Sequence, residues 1–472
     1  MSPDRLRIAI RVGIYALLLL APLPFGSVQS GYVLAIELTA AAIGLASIAL
    51  LAIDAEARAA LPRLPLALCV GIVALGVFQI LPLPFSIAER FNPTADLVRP
   101  LIPYLGLDHP PAVSWSVAPP ETTDALLRFV AYAWIGLGAA LAFDSREGRR
   151  RLAIVLVASA AFQAVYGSGE YLSGHQHIFG FAKKHYLDSA TGTFINRNHY
   201  ATFLALALPF ALALAIGSPA SQPRNGWRER VLATADSAGL TRLFGWAAAS
   251  LLWLGLLLSH SRAGLAFGVV GVAVVIVECR TRRAARWVAV VAGLVLLALL
   301  SRDLAQAPGE RFRSLASDLS APGGRTTVWR DTLDLVKERP VFGWGLGAFE
   351  SAFPSVQSSE IQLSYDHAHN DWLEWLVEGG IAAVLPALAL FALALRRAGQ
   401  RRLRSRDGPD AALVAAAVGA LSAVALHAFW DFSLRIPAVA VAVTATLAVA
   451  IGSPTGAPRA RTPFEAPRVS IS

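Results

Sequence analysis

The sequence contains few cysteines and few charged residues for its length. It has two cysteines among 472 residues, Cys69 and Cys279, and both lie in or beside apolar segments. Two isolated thiols of this kind provide neither a disulfide framework nor the spacing of a metal site. Charged residues make up 15% of the chain, whereas soluble globular proteins contain about 25%. This composition argues against a soluble globular protein.

Nucleotide-binding motifs are missing as well. The sequence contains neither a Walker-type phosphate loop nor a Rossmann glycine pattern. Its net charge is +9, which in a soluble protein would suggest binding to nucleic acid. Most of the arginines, however, stand in short blocks between apolar runs, as the topology signals of membrane proteins do. We therefore expect no nucleic-acid partner and no cytoplasmic site that uses ATP.

Long apolar runs recur along the whole chain. A helix of about 20 apolar residues spans the ~30 Å hydrocarbon core of a bilayer, so the runs predict an all-α, polytopic transmembrane bundle of about 12 spans. The first run resembles a signal peptide, but no small-residue cleavage site follows it, and we interpret it as a retained helix. The predicted spans are 9–27, 31–53, 64–85, 124–143, 152–170, 198–217, 244–260, 263–278, 287–301, 371–395, 411–430 and 434–451.

Four arginine-rich connections set the expected orientation. They fall on one side of the membrane if the span count holds, and the positive-inside rule makes that side cytoplasmic. We therefore expect a multi-pass protein of the bacterial inner membrane with both termini in the cytoplasm and a disordered tail after Ile451. The connections are marked by Arg146 and Arg149–Arg151, by Arg224, Arg228, Arg230 and Arg242, by Arg280, Arg282, Arg283 and Arg286, and by Arg396, Arg397, Arg401, Arg402, Arg404 and Arg406.

The opposite, periplasmic side receives the segments in which unusual polar residues collect. The longest is the loop 302–370, between the predicted spans 9 and 10, and it is partly helical. Thr326–Glu338 reads as one amphipathic helix, with Val328, Thr332, Leu335 and Val336 on one face and Asp331 on the other. An apolar face beside a membrane predicts a helix that lies against the bundle.

Two arginines on this side are candidate phosphate ligands. Arg262 lies in the tight turn Ser259–Gly264, where a cation beside hydrocarbon is costly without a partner; the alternative is a side chain that snorkels to the headgroups. Arg325 follows two glycines at the start of the amphipathic helix, and a helix N-terminus together with a guanidinium attracts phosphate. The alternative for Arg325 is a solvated surface arginine.

Two further segments place polar side chains just before a span. His367, His369 and Asn370 precede one span, where an imidazole can act as general base, the two histidines can begin a metal site, or the two histidines can cap a helix at the interface. The sequence shows no third metal ligand beside them. Arg197 and Asn198, flanked by Asn196 and His199, precede another span and can bind phosphate or sugar oxygens or cap that helix.

Several short motifs between about residue 190 and residue 435 resemble a known family in their order and spacing. In chain order they are Thr191–Ala201, Ser261–Gly264, Gly324-Arg325 with Trp329, Pro340 with Gly343 and Gly345, His369-Asn370 with Leu373 and Glu374, Glu378–Ile381, and Asp431-Phe432. Together they resemble the O-antigen ligase and O-antigen polymerase superfamily of bacterial polytopic membrane glycosyltransferases.

The resemblance implies a metal-independent and cofactor-free transfer of a glycan. The donor would be linked to undecaprenyl diphosphate, and the acceptor hydroxyl would belong to another glycan or to lipid A–core, at the periplasmic face of the inner membrane. Arg262 and Arg325, with Arg197, would hold the diphosphate, and His369 would act as the base, with His367 as the alternative. Asn198 and Asn370 would contact substrate.

The same resemblance divides the chain into three predicted regions. Residues 1–190 form the first five spans, 191–435 form the catalytic region, and 436–472 form the last span and the tail. Two other classes compete with the enzyme. A transporter or flippase of lipid-linked saccharide would place its polar residues near the midplane and often contains repeats. A structural assembly protein would not need arginines and a histidine that converge on one cleft.

Overall fold

The computed structural model describes residues 1–104, 110–217, 237–279, 324–361, 364–404 and 409–451. Within these ranges the chain forms sixteen helices and one two-stranded hairpin, which confirms the predicted all-α class. Nine of the described helices are long and apolar enough to cross a membrane. The predicted span 287–301 lies outside the described residues, so the total of twelve stays a prediction.

The helices follow the predicted apolar runs closely. Their bounds are α1 Pro3–Leu20, α2 Ser30–Ile53, α3 Ala55–Ala59, α4 Arg63–Ile80, α5 Phe85–Ala88, α6 Pro93–Val98, α7 Pro119–Ala142, α8 Arg146–Ser173, α9 Arg197–Gly217, α10 Ser237–Leu258, α11 Arg262–Cys279, α12 Arg325–Glu338, α13 Phe349–Ala352, α14 Asp371–Arg404, α15 Pro409–His427 and α16 Pro437–Ile451. The strands β1 His177–Ile178 and β2 Phe181–Ala182 form an antiparallel hairpin after α8.

Helix α9 occupies the centre of the bundle. Every residue of it from His199 to Ala215 is buried, as expected for a helix that is apolar around its whole circumference. Helices α8, α10, α11 and α15 pack around it. Gly245 of α10 allows a close approach, because a Cβ at that position would lie 2.5 Å from the backbone nitrogen of Ala215.

The remaining long helices extend the bundle on one side of this centre. Helix α7 packs against α2, α4 and α16, and α1 packs against α2 and α7. Helix α14 packs against α4 and α15, and α16 also contacts α15. The described helices therefore form one continuous bundle.

The predicted cytoplasmic connections share one end of the bundle. Arg149 at the start of α8 forms an ion pair of 2.8 Å with Asp410 at the start of α15. Arg150 donates to Thr241 at the start of α10, and Arg397 donates to the carbonyl of Ile451 at 3.4 Å. Three of the four arginine-rich connections thus meet at this end, and the fourth, 280–286, lies outside the described residues.

The amphipathic helix α12 begins one residue before the predicted start. Val328, Thr332 and Leu335 are buried as expected, and the helix packs against α14. Asp331, which the sequence pattern places off this apolar face, is also buried, with 4% of its surface exposed. Its carboxylate is turned inward because Oδ2 accepts a hydrogen bond from the backbone nitrogen of Ser358 at 2.9 Å.

Candidate glycan-transfer site

The end of the bundle opposite to the arginine-rich connections carries the candidate site. The turn after α15 contacts the start of α14, because the backbone nitrogen of Asp371 donates to the carbonyls of Ala428 at 2.8 Å and Asp431 at 3.2 Å. Thr202 of α9 lies 2.9 Å from Ser433 through their hydroxyl oxygens. Helices α9, α14, α15 and α16 therefore contribute to one surface, which we call the site end.

His369 lies in the turn that leads into α14. Its backbone adopts a left-handed conformation, with φ of +50°, which aims the ring at the turn after α15. Its Nδ1 lies 3.4 Å from Oδ1 of Asp431, and its ring meets Phe432 edge-on at a centroid distance of 5.1 Å. The side chain remains 28% exposed. With Nδ1 directed at a carboxylate, Nε2 is the nitrogen that can accept a proton.

Asp431 is buried and charged. Burial alone would raise the pKa of this carboxyl, but the hydrogen bond from His369 and the nearby imidazoles of His199 and His427 outweigh it and hold the pKa below its usual range. Oδ1 also accepts from the backbone nitrogen of Phe432 at 2.9 Å. Oδ2 has no hydrogen-bond partner among the described residues. Asp431 is thus an anion that can stabilise a proton on His369.

His367 has an acidic partner of its own. Its Nδ1 lies 2.8 Å from Oε1 of Glu374, and its ring stacks on Phe432 at 4.1 Å between centroids. The other carboxylate oxygen of Glu374 accepts from the backbone nitrogen of Ala368 at 2.9 Å. Both histidines therefore have the oriented geometry of a base, and the choice between them stays open.

A largely buried arginine, Arg435, forms ion pairs with three carboxylates beneath these histidines. Arg435 lies 2.7 Å from Glu378, 3.4 Å from Glu374 and 3.9 Å from Asp371. Burial would lower the pKa of Arg435, but the three carboxylates outweigh it and raise that pKa. The cluster connects the start of α14 to the turn before α16 and so fixes the floor of the site.

Arg325 reaches the same turn from α12. Its guanidinium Nη1 donates to the carbonyl of Trp430 at 2.9 Å. In the next turn of the helix, Trp329 donates through Nε1 to the carbonyl of Ala368 at 2.9 Å. Helix α12 therefore contacts both the segment before α14, which contains His369, and the turn after α15, which contains Asp431.

Arg197 is the first residue of α9 and lies beside the loop before it. Nη1 is 3.3 Å from the hydroxyl of Ser189, and the guanidinium lies over the ring of Tyr186 at 5.4 Å. Burial and the charge of Asp431 raise the pKa of Tyr186, and the charges of Arg197 and Arg325 oppose them. Tyr186 therefore lies near Arg197, Arg325 and Asp431.

Asn198 contacts the turn just before α11, which begins at Arg262. Oδ1 of Asn198 accepts a hydrogen bond from the hydroxyl of Ser261 at 2.9 Å. Gly264 permits this contact, because a Cβ there would lie 2.4 Å from the Cβ of Ala201. Arg262 is exposed at the site end, and its guanidinium has no hydrogen bond or ion pair within the described ranges. No described contact joins it to His369 or Arg325.

Asn370 is a helix cap in the structure. Its Oδ1 accepts from the backbone nitrogen of Leu373 at 3.1 Å, which is the bond of an N-cap residue. The sequence did not predict this capping role for Asn370, and the contact of Asn370 with substrate stays a prediction.

Sequence reasoning did not predict His427, Tyr186 or Arg435 as members of the site, and it named His199 only as a neighbour of Arg197 and Asn198. His199 meets Phe432 edge-on at 4.7 Å, and His427 lies 3.1 Å from the hydroxyl of Thr202 through Nδ1. The Nε2 atoms of both histidines lack a partner among the described residues. The available signal was the occurrence of ionisable residues at the ends of apolar helices, where they are costly and usually functional.

Within the described part of the chain, His367 and His369 do not form a group of three possible metal ligands. Among the residues that the structure describes, side chains suited to a metal ion come together at Glu170, His175 and His177, whose ligand atoms lie within 4.8 Å of one another. Glu170 lies near the end of α8, His177 lies in β1, and His175 lies between these two elements. The expected absence of a metal from the transfer site stays a prediction.

Comparison with known proteins shows a family similarity over part of the chain. Residues 247–391 match the family model described as O-antigen ligase, and this range includes Arg262, Arg325 and His369 but neither Arg197 nor Asp431. A comparison of the whole chain with curated proteins gives no match. Over residues 247–391 the chain is therefore similar to the O-antigen ligase family, and the nine apolar helices among the described residues indicate a multi-pass membrane protein.

Proposed function

We propose that the chain transfers a glycan from an undecaprenyl-diphosphate-linked donor to an acceptor hydroxyl, and that the site end faces the periplasm of the inner membrane. The O-antigen ligase match supports glycan transfer in general. The observation that carries the finer proposal is the pairing of a partly exposed imidazole with a buried carboxylate. Nδ1 of His369 lies 3.4 Å from Oδ1 of Asp431. A base of this kind suits an acceptor hydroxyl that must lose its proton.

The reaction follows from the geometry of the two residues. The acceptor oxygen bonds to the anomeric carbon of the donor, and its proton passes to Nε2 of His369. Asp431 stabilises the resulting imidazolium. The bond between the anomeric carbon and the diphosphate oxygen breaks, and its electron pair leaves with the diphosphate. A single displacement of this type inverts the anomeric configuration, so retention in the product, measured by NMR, would exclude it.

The arginines stabilise the leaving diphosphate. Negative charge accumulates on the diphosphate as the sugar departs, and guanidinium groups held in advance near that charge lower the barrier. Arg325 and Arg197 both lie close enough to Tyr186 for their charges to act on its hydroxyl. Arg262 is the third of the proposed phosphate ligands. Its side chain is exposed, and we assign the phosphates of the carrier as its partner.

The substrates require no nucleotide and no cofactor, because the activated donor supplies the free energy. The acceptor is either another glycan repeat, which makes the protein a polymerase, or lipid A–core, which makes it a ligase. Both acceptors present a hydroxyl to the same base. The residues around His369 do not select between them.

Reconstitution in proteoliposomes tests the proposal. An undecaprenyl-diphosphate oligosaccharide is supplied with each candidate acceptor, and we expect one undecaprenyl diphosphate released for each glycan transferred. A ladder of repeats identifies a polymerase, and a single addition to lipid A–core identifies a ligase. Movement of intact donor across the bilayer without any product would identify a flippase and would overturn the proposal. His185→Ala, in an exposed loop position, is the matched control for histidine variants.

A further inference from the structure

The turn after α8 gathers three metal-ligating side chains on a short stretch of chain. Gly174 ends the helix with φ of +72°, and Gln176 turns the chain back with φ of +54°. As a result, Nδ1 of His175 and the backbone nitrogen of His177 each lie 2.9 Å from Oε2 of Glu170. The two imidazole rings stack at 4.1 Å between centroids. The backbone thus brings both histidines over one carboxylate.

The distances are close to those of a bound ion. Zn²⁺ binds imidazole nitrogen and carboxylate oxygen at about 2.0–2.2 Å, which places tetrahedral ligands roughly 3.4 Å apart. The ligand atoms of Glu170, His175 and His177 already lie within 4.8 Å of one another. The ligand atoms must therefore move closer together when an ion binds. Two imidazoles and one carboxylate form a donor set that suits zinc and similar transition metals.

We propose that Glu170, His175 and His177 bind one divalent transition-metal ion of the zinc class, with the fourth position open to water. The proposal does not rest on the proposed function, since the three residues lie outside the groups assigned to glycan transfer.

The surroundings are compatible with a cation. Lys183 is the nearby positive group; burial lowers its pKa, while Asp188 and Glu170 oppose that shift. Its ammonium donates to Oε1 of Gln176 at 3.0 Å and to the carbonyl of Ser189 at 2.8 Å, so it is engaged away from the carboxylate.

Contacts around the three ligands already hold the hairpin in place. The hydroxyl of Tyr166 accepts a hydrogen bond from the backbone nitrogen of Phe179 at 2.6 Å and donates to the carbonyl of His177 at 3.4 Å. Such supporting contacts orient metal ligands in many sites. Nδ1 of His177 also bonds to the carbonyl of His175, so an ion that binds through this nitrogen must replace that bond.

A bound ion would stabilise the loop that leads to Arg197. Residue His177 belongs to β1, and the backbone nitrogen of Lys183, just after β2, donates to the carbonyl of Gln176 at 2.9 Å. Lys183 in turn holds Ser189, whose hydroxyl lies 3.3 Å from Arg197. The ion would therefore fix one end of a chain of contacts that ends at α9.

Metal analysis of the purified protein tests the site. The full chain is prepared in detergent without a histidine tag, dialysed against Zn²⁺, and examined by elemental analysis and titration calorimetry. We expect about one zinc ion per chain, as a single three-ligand site requires, and loss of that ion in the double variant His175→Ala, His177→Ala. Glu170→Gln should weaken binding by more than the roughly 10- to 100-fold typical of removing an outer-shell partner. His185→Ala, in the same loop, should bind as the parent does.

Two further measurements make the result decisive. Binding should weaken as pH falls through the range in which imidazole becomes protonated, because the metal competes with the proton. Thermal unfolding without metal shows whether each variant is folded, and Glu170→Gln replaces the double variant if that one is not. Failure of the parent protein to bind one equivalent, or equal binding by parent and Glu170→Gln, would overturn the proposal whatever the transferase assay gives.

Discussion

The Nδ1 of His369 lies 3.4 Å from Oδ1 of Asp431, and the aspartate is buried while the histidine remains accessible. This relationship gives the imidazole a fixed orientation and a permanent negative neighbour. Asp431→Asn keeps the size of the side chain and removes its charge. We expect turnover to fall by about 10²–10⁴, the usual contribution of a working general base, because the imidazolium loses its partner.

The assay for this variant is release of undecaprenyl diphosphate under saturating donor. Asp366→Asn serves as the control, since Asp366 is an exposed aspartate in the segment that contains His369. Turnover within twofold of the parent protein in Asp431→Asn would remove Asp431 from the mechanism.

The lowered pKa of Asp431 also predicts how stability depends on pH. A carboxyl whose pKa is lower in the folded state stabilises the fold fully above its unfolded pKa of about 3.9 and loses that contribution as pH falls toward the folded value. The stability difference between the parent protein and Asp431→Asn should therefore be constant at neutral and mildly acidic pH and should shrink below about pH 4. Thermal unfolding in detergent at several pH values measures it. A difference that grows with acid would contradict the sign of the shift.

His369→Ala and His367→Ala separate the two candidate bases. If His369 is the base, its removal should reduce turnover by ~10²–10⁴ and leave carrier binding nearly intact, because the arginines remain. His367→Ala should have a smaller effect on turnover, since that ring stacks on Phe432 and pairs with Glu374. Equilibrium binding of the donor, measured beside turnover, distinguishes catalysis from affinity. The reverse ranking of the two variants would assign the base to His367.

The sequence predicted the fold class well because a membrane imposes it. Apolar runs of spanning length must be helical, since lipid offers no other partner for backbone groups, and the structure places α9 at Arg197–Gly217 against a predicted 198–217. Arginine blocks likewise predicted which helix ends lie together. The amphipathic pattern of α12 predicted its buried face but not Asp331, whose burial depends on a hydrogen bond from a distant segment.

The sequence drew attention to some residues of the candidate site but not to those whose partners lie elsewhere in the chain. The motifs drew attention to Arg197, Arg325 and His369, because polar residues next to apolar runs are conspicuous. Asp431 was visible only as part of a motif, since its partner lies 62 positions away, and residue type alone does not reveal such a pairing. Tyr186 was missed for the same reason.

Arg262→Lys tests whether this arginine is a phosphate ligand. The substitution keeps the charge and loses the planar fork that binds two phosphate oxygens. We expect roughly a 10- to 100-fold loss in kcat/KM, equivalent to one charge-assisted hydrogen bond of about 1.5–3 kcal/mol. Stability should not change, because the side chain is exposed. Parental kinetics in this variant would identify Arg262 as a snorkelling residue, and Arg330→Lys on an exposed face of α12 is the control.

Removal of the positive charge of Arg435 should damage the fold itself. The guanidinium lies 2.7 Å from Glu378 and also near Glu374 and Asp371, so Arg435→Gln removes the cation that the three buried carboxylates share. Breaking a buried ion pair of this kind costs about 3–5 kcal/mol. Adding Glu378→Gln to the variant should restore part of the loss, because one buried charge is then removed. Unfolding measurements that show no loss, or no recovery, would contradict this role.

Thiol labelling tests the orientation on which the periplasmic assignment depends. With Cys69 and Cys279 replaced by alanine, single cysteines are introduced as His185→Cys and Lys337→Cys at the site end and as Arg151→Cys at the opposite end. All three positions are exposed. The positive-inside rule places Arg151 in the cytoplasm, so a membrane-impermeant reagent should label the first two in intact spheroplasts and Arg151→Cys only after permeabilisation. Labelling of Arg151→Cys in intact cells would place the site end in the cytoplasm, where a periplasmic acceptor cannot reach His369.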